Sequence, residues 1–83
     1  MSGNRHERDF YEKMGVRIRI AREMHGMRQS DLARRIGVSR PSVVNIEQGR
    51  QGVSAHQAFL ISNALKITLS VLLTGSSQRG RQP

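Results

Sequence analysis

The sequence contains no cysteine, so neither a disulfide nor a thiolate metal site can help hold the chain together. Its three histidines, His6, His25 and His56, are far apart in the sequence, and neither a metal nor a cofactor is expected. No apolar run approaches the roughly 18 residues that would span a bilayer. The start, MSGNRHERDFYEKMG, lacks the apolar stretch of a secretory signal, so the expectation is a soluble, cytoplasmic protein. No stretch alternates apolar and polar residues at period two, which argues against strands. The parts of an enzyme are missing as well: no suitably paired carboxylates, no nucleophile–base pair and no glycine-rich phosphate loop.

Acidic residues are scarce too. Fourteen Lys+Arg stand against six Asp+Glu, a formal net charge of +8 on 83 residues, and nearly all the cations are arginine. A chain of this length supports one small domain, with a single core or a core completed by a partner chain. So strong a positive charge points to a polyanionic partner, most often nucleic acid. An anionic membrane surface would call for an amphipathic helix with lysines opposite bulky apolar residues.

Turn and breaker residues divide the chain into five short helical segments. The first is predicted to open at Asp9, with Glu12 as its capping-box partner, and to run to Met24 or His25 before Gly26. Met14, Ile18 and Ala21 form its core stripe. The second runs from Gln29 to Ile36, with Asp31 in its first turn, where the helix dipole favours a carboxylate. Leu32, Ala33 and Ile36 are its buried face, and Gly37 is a left-handed stop. The third begins after the N-cap Ser39 and ends at Gly49. Pro41 falls in its first turn, where a missing N–H costs nothing. The fourth opens on the Ser54–Gln57 box and buries Ala58, Ile61 and Leu65. The fifth, Leu69 to Leu73, follows Thr68. Residues 1–8 read as a flexible terminus, 9–74 as the folded domain, and 75–83 as a disordered basic tail.

The informative spacing lies within residues 29–48. Ala33 permits a close helix crossing, Gly37 four positions on supplies the turn, and Val43 and Ile46 anchor the next helix against the first. That pattern is a helix-turn-helix, whose second helix sits in the DNA major groove. Residues 14–73 resemble the phage-repressor/Cro-type (XRE) helix-turn-helix family. The likeness is carried by Arg22, Gln29, Leu32-Ala33, Gly37-Val38-Ser39 and the run IEQGR at 46–50. It implies an all-α, compact five-helix repressor-like fold and a transcriptional regulator. The expected regulator is a repressor that binds a palindromic operator as a homodimer.

The resemblance also implies roles for individual residues. Ser39, Arg40, Pro41, Val44 and Asn45 occupy the groove-facing side of the recognition helix, as candidate base contacts. Gln29, Ser42, Gln48, Arg50 and Arg28 match positions near the DNA backbone. Arg22 and Glu47 match a structural ion pair between the first and third helices. By chemistry, Arg40 can bond bidentately to guanine, Asn45 can pair with adenine, and Val44 can pack on a thymine methyl. Pro41 offers no donor. Ser39 is either a DNA contact or simply a helix cap, and Arg28, Arg34 and Arg35 are either phosphate contacts or solvated charges.

Two features depart from the family pattern. Lys66 replaces the usual glycine after the fourth helix, which must then end by another route. Val16, Ile20 and Met24 form a second apolar stripe on the first helix. Either the N-terminus covers it, through Phe10 or Tyr11, or it contacts a protein. The competing function is accordingly an antitoxin or adapter that uses the same fold to bind a protein partner.

Overall fold

A computed structural model describes residues 5–76 of the chain. It contains α1 (Arg5–Met24), α2 (Gln29–Ile36), α3 (Arg40–Glu47), α4 (Ala55–Leu65) and α5 (Leu69–Thr74), with no strand among the described residues. The all-α, five-helix expectation holds. Residues 1–4 and 77–83 lie outside the described part, and with them most of the two expected terminal tails.

Apolar spacing selects most of the core, although Ala21 of α1, expected in it, is only half-buried at its edge. Met14 and Ile18 of α1, Leu32, Ala33 and Ile36 of α2, and Val43 and Ile46 of α3 are buried together. Ala58, Ile61 and Leu65 of α4 and Leu72 of α5 complete the core. α2 packs against α3 and α4, and α1 lies across α3, α4 and α5. Polar ties close the ends: His25 Nε2–H donates to Leu65 O (2.7 Å), and Arg17 donates to Leu72 O (3.1 Å). Among the described residues, no helix is long and apolar enough to cross a membrane.

The helix boundaries follow local chemistry. Ser54 accepts the N–H of Gln57 (3.0 Å) while the Gln57 side chain accepts that of Ser54 (3.1 Å), a reciprocal box. Thr68 caps α5 by a one-way bond, its hydroxyl oxygen accepting Val71 N–H (3.1 Å). Asp9 does not cap α1. The helix begins one turn earlier, at Arg5, because residues 5–8 are polar helix formers with Glu7 in the first turn, on the positive end of the dipole. Asp9 pairs instead with Lys13 at i+4 (3.2 Å). The flexible segment expected over 1–8 is therefore helical from residue 5.

Lys66 also differs from expectation. It ends α4 by the usual left-handed route, with φ 56° and ψ 42°, despite carrying a side chain. The bonds from Lys66 N–H to Asn63 O (3.3 Å) and from Ile67 N–H to Ser62 O (3.1 Å) hold it there. The conformation costs about 1 kcal/mol at a residue with a Cβ.

The sequence pattern gives no sign of one close crossing in the domain. Gly15 of α1 is buried against the C-terminal turn of α3, and a Cβ there would stand 2.5 Å from Ile46 O and 2.7 Å from the Glu47 carbonyl carbon. Backbone atoms cannot yield as a side-chain tip would. Gly15→Ala should therefore lower stability by about 2 kcal/mol, outweighing the roughly 1 kcal/mol that alanine gains in helix propensity. Urea denaturation measures this, and an unchanged midpoint would show that α1 can lift from α3 freely.

Candidate nucleic-acid interface

The α2–α3 turn is built by Gly37, at φ 74°, which lets Val38 N–H return to Ala33 O (3.0 Å). α3 then starts at once. Ser39 is its N-cap, and its hydroxyl oxygen accepts Ser42 N–H (3.3 Å) while the hydroxyl also donates to Ser42 Oγ (3.3 Å). Pro41 lies in the first turn, as its fixed φ and absent N–H allow. Within α3, Val43, Ile46 and Glu47 point inward and are buried. Arg40, Pro41 and Gln48 are exposed, and Ser42, Val44 and Asn45 are half-buried. Arg50 follows on the α3–α4 loop, exposed, with its backbone N–H on Asn45 O (2.9 Å).

Behind this face stands a buried ion pair. Arg22 Nε donates to Glu47 Oε2 at 2.6 Å and Arg22 Nη2 to Glu47 Oε1 at 3.1 Å, a bidentate clamp from α1 to α3. Arg22 Nη1 also donates to Met27 O (2.8 Å), fixing the α1–α2 loop. The hydrogen bond to Glu47 holds the Arg22 guanidinium above its ordinary pKa, against the opposing effect of desolvation. Among the described residues, no buried side-chain polar atom lacks a partner.

Sequence reasoning missed a second layer of this arrangement. Gln29 Nε2 donates to Glu47 Oε1 (3.1 Å), while Gln29 Oε1 accepts from Arg40 Nη2 (3.1 Å). One half-buried amide thus joins the internal carboxylate to an exposed arginine on the recognition helix. A phosphate contact by the Gln29 side chain would have to share or displace these bonds. Matching donor and acceptor types at positions 29, 40 and 47 were visible in the sequence, but their proximity required the packing of α2 on α3.

The remaining cations divide. Arg28 and Arg34 share Asp31, at 3.4 and 2.9 Å. Asp31 also accepts the backbone N–H of Arg28 (2.8 Å), which above all keeps its carboxyl below the usual range. The stability from this cap is complete above the ordinary carboxylate range and is lost as pH falls through the depressed folded value. Arg35, Arg40 and Arg50 form no ion pair among the described residues. The only acids of α2 and α3 are thus bound by arginines, and no acidic residue follows Glu47 in the sequence.

Removing one member of the buried pair should be far costlier than removing both. Glu47→Ala leaves a buried guanidinium unpaired and should cost about 3–5 kcal/mol. Replacing Arg22 by Met and Glu47 by Leu together should recover much of that loss. A double-mutant cycle in urea checks this, and a loss in the double variant equal to the sum of the two single losses would show that the pair is not coupled.

Comparison with known proteins agrees with this geometry. Residues 18–72 match the model of the family described as Helix-turn-helix (HTH_3). The chain is 37% identical over 49 residues to an uncharacterized HTH-type transcriptional regulator of Methanocaldococcus jannaschii, covering 59% of this chain and 74% of that one. The P22 c2 repressor, solved in complex with a synthetic operator, superposes with a TM-score of 0.73 at 30% identity. The match spans 76% of this chain and 96% of that one. The restriction-modification controller protein C.AhdI from Aeromonas hydrophila gives a TM-score of 0.74 at 31% identity, over 78% and 94% of the two chains. These are regulatory proteins rather than enzymes. With its Ala33–Gly37 turn, its anchored α3 and the Arg22–Glu47 clamp, the chain belongs to the helix-turn-helix family of phage-repressor/Cro type.

Proposed function

We propose that the protein is a sequence-specific DNA-binding transcriptional regulator that acts as a repressor, as a homodimer on a palindromic operator. The observation that carries this reading is the two-sided α3. Its inner side is locked to the core, and its outer side presents Arg40, Pro41, Val44, Asn45 and Gln48 on a surface poor in acids. In this reading Arg40 bonds guanine O6 and N7, Asn45 pairs with adenine, and Val44 packs on a thymine methyl. Pro41 contributes shape alone. Ser39 already caps α3, so any DNA contact from it is added to that role. Ser42, Gln48, Arg50, Arg28 and the N-terminus of α2 at Gln29 face the backbone. The reading places the protein in the cytoplasm, on the nucleoid, and needs no cofactor.

One monomer offers a small interface, so useful specificity calls for two copies with half-sites about 34 Å apart. Phe59, Leu69, Leu72 and Leu73 lie in the region expected to carry the dimer contact. Leu72 is instead buried in the core, which leaves Phe59 and Leu69, 52% and 40% exposed, and the half-buried Leu73 as candidates. Selection of bound sequences from random DNA tests both proposals, since an enriched palindrome requires a reader and a twofold. Arg40→Ala should relax preference at one base position, at about 1–3 kcal/mol. Arg50→Ala should weaken binding to every sequence and lower the salt slope by about one. Equal losses on selected and random DNA for both variants would count against these assignments.

A second reading, an antitoxin or adapter, has its own support. Val16, Ile20 and Met24 are 45, 48 and 80% exposed, because α1 continues straight back to Arg5 and carries Phe10 and Tyr11 with it. Those two rings instead meet each other edge to face, with centroids 5.1 Å apart. Ile20, Ala21 and Met24 line an apolar groove with Ile67 of the α4–α5 turn and Val71 of α5. The double variant Ile20→Glu/Met24→Glu should abolish a protein contact at this groove while leaving DNA affinity per monomer unchanged. Size-exclusion chromatography with light scattering reads the self-association arm; unaltered association and partner binding would remove the groove from consideration.

A further inference from the structure

The first two thirds of α1, residues 5–17, precede the segment matched by the family model, yet they do not project away from the domain. They lie along the α3–α4 loop. Gly49, at φ 76°, sits so close to Glu12 that a Cβ would stand 2.6 Å from Glu12 Cγ. At Gly52 a Cβ would stand 3.2 Å from the Tyr11 ring. Between helix and loop runs an open cleft of about 630 Å³, large enough for a phosphodiester unit. Arg8 stands on its helix wall, and Gln48 and Arg50 on its loop wall.

We propose that Arg8 is a DNA-backbone ligand, and that Arg8 and Arg50 together clamp the strand that leaves the recognition helix past Gln48. The inference rests on the DNA-binding reading above and extends it to a part of α1 outside the family segment. Arg8 and Arg50 are both exposed, and neither forms an ion pair among the described residues. The loop packing fixes them on opposite walls of one cleft. Glu7 and Glu12 also line that cleft. Their charge disfavours a free anion, so the occupant is a phosphate of a duplex already held by α3. Free inorganic phosphate is then not expected to compete beyond its contribution to ionic strength.

The test measures affinity for a short labelled duplex of mixed sequence across a salt series, with the full chain and three variants. Arg8→Ala should lower the slope of log K against log salt by about one. Arg8→Lys should restore most of it. Lys13→Ala removes the same charge from a side of α1 about 140° around the helix from Arg8, and should leave the slope unchanged. Equal slopes for wild type and Arg8→Ala would overturn the clamp while leaving the DNA reading intact, as would equal losses in Arg8→Ala and Lys13→Ala. A wild-type chain with no salt-dependent binding would overturn both. All four proteins are compared by thermal unfolding, because Arg8 supports no core contact and its loss should not move the midpoint.

Discussion

Arg22 and Glu47 hold the functional surface in place. Helices as short as α2 and α3 are marginal alone and take their stability from what they pack against. The core residues Val43 and Ile46 fix how deep α3 sits. A bidentate pair fixes in addition how it is rotated, since two parallel hydrogen bonds tolerate little twist. The same guanidinium holds the loop before α2 through Met27 O. Gly15 allows α1 to come close enough for this pairing to form, and Gln29 carries the pairing outward to Arg40. From Gly15 to Arg40, each contact sets the geometry of the next.

Much of this was legible in the sequence because it depends on local chemistry. Ser39, Ser54 with Gln57, and Thr68 cap helices where their side-chain oxygens predict it. Gly37 turns where a left-handed residue is needed. The core stripes of α2 and α4 follow directly from apolar spacing. The rest depended on packing between distant segments. Gly15 looks like an ordinary weak point in a helix until α3 lies across it. Gln29 reads as a surface glutamine until α2 and α3 bring it between a carboxylate and a guanidinium. The start of α1 was misplaced because Asp9 and Glu12 fit the capping pattern, while an i+4 lysine offered Asp9 a better partner inside a longer helix. Lys66 shows the converse: backbone hydrogen bonds at the end of α4 can impose a left-handed residue without glycine.

The distribution of charge complements this geometry. Four of the six acids lie on α1, and the other two, Asp31 and Glu47, are each engaged by arginine. A small protein with this excess of arginine would otherwise suffer from self-repulsion. Concentrating the acids on α1 moderates that repulsion while leaving the outer side of α3 and everything after it free of negative charge.

The Gln29 amide also limits how the protein could evolve. Its nitrogen is committed to Glu47, so its oxygen must face residue 40 and can accept only a donor there. Arginine satisfies it, as would lysine, glutamine or asparagine. A carboxylate at that site would meet the amide's lone pairs, and turning the amide over would set its oxygen against Glu47 instead. A descendant could therefore exchange the arginine for another donor, such as glutamine, in a single step. An acidic side chain at the same position would have to turn away from Gln29, and the tie from the exposed side of α3 to Glu47 would be lost.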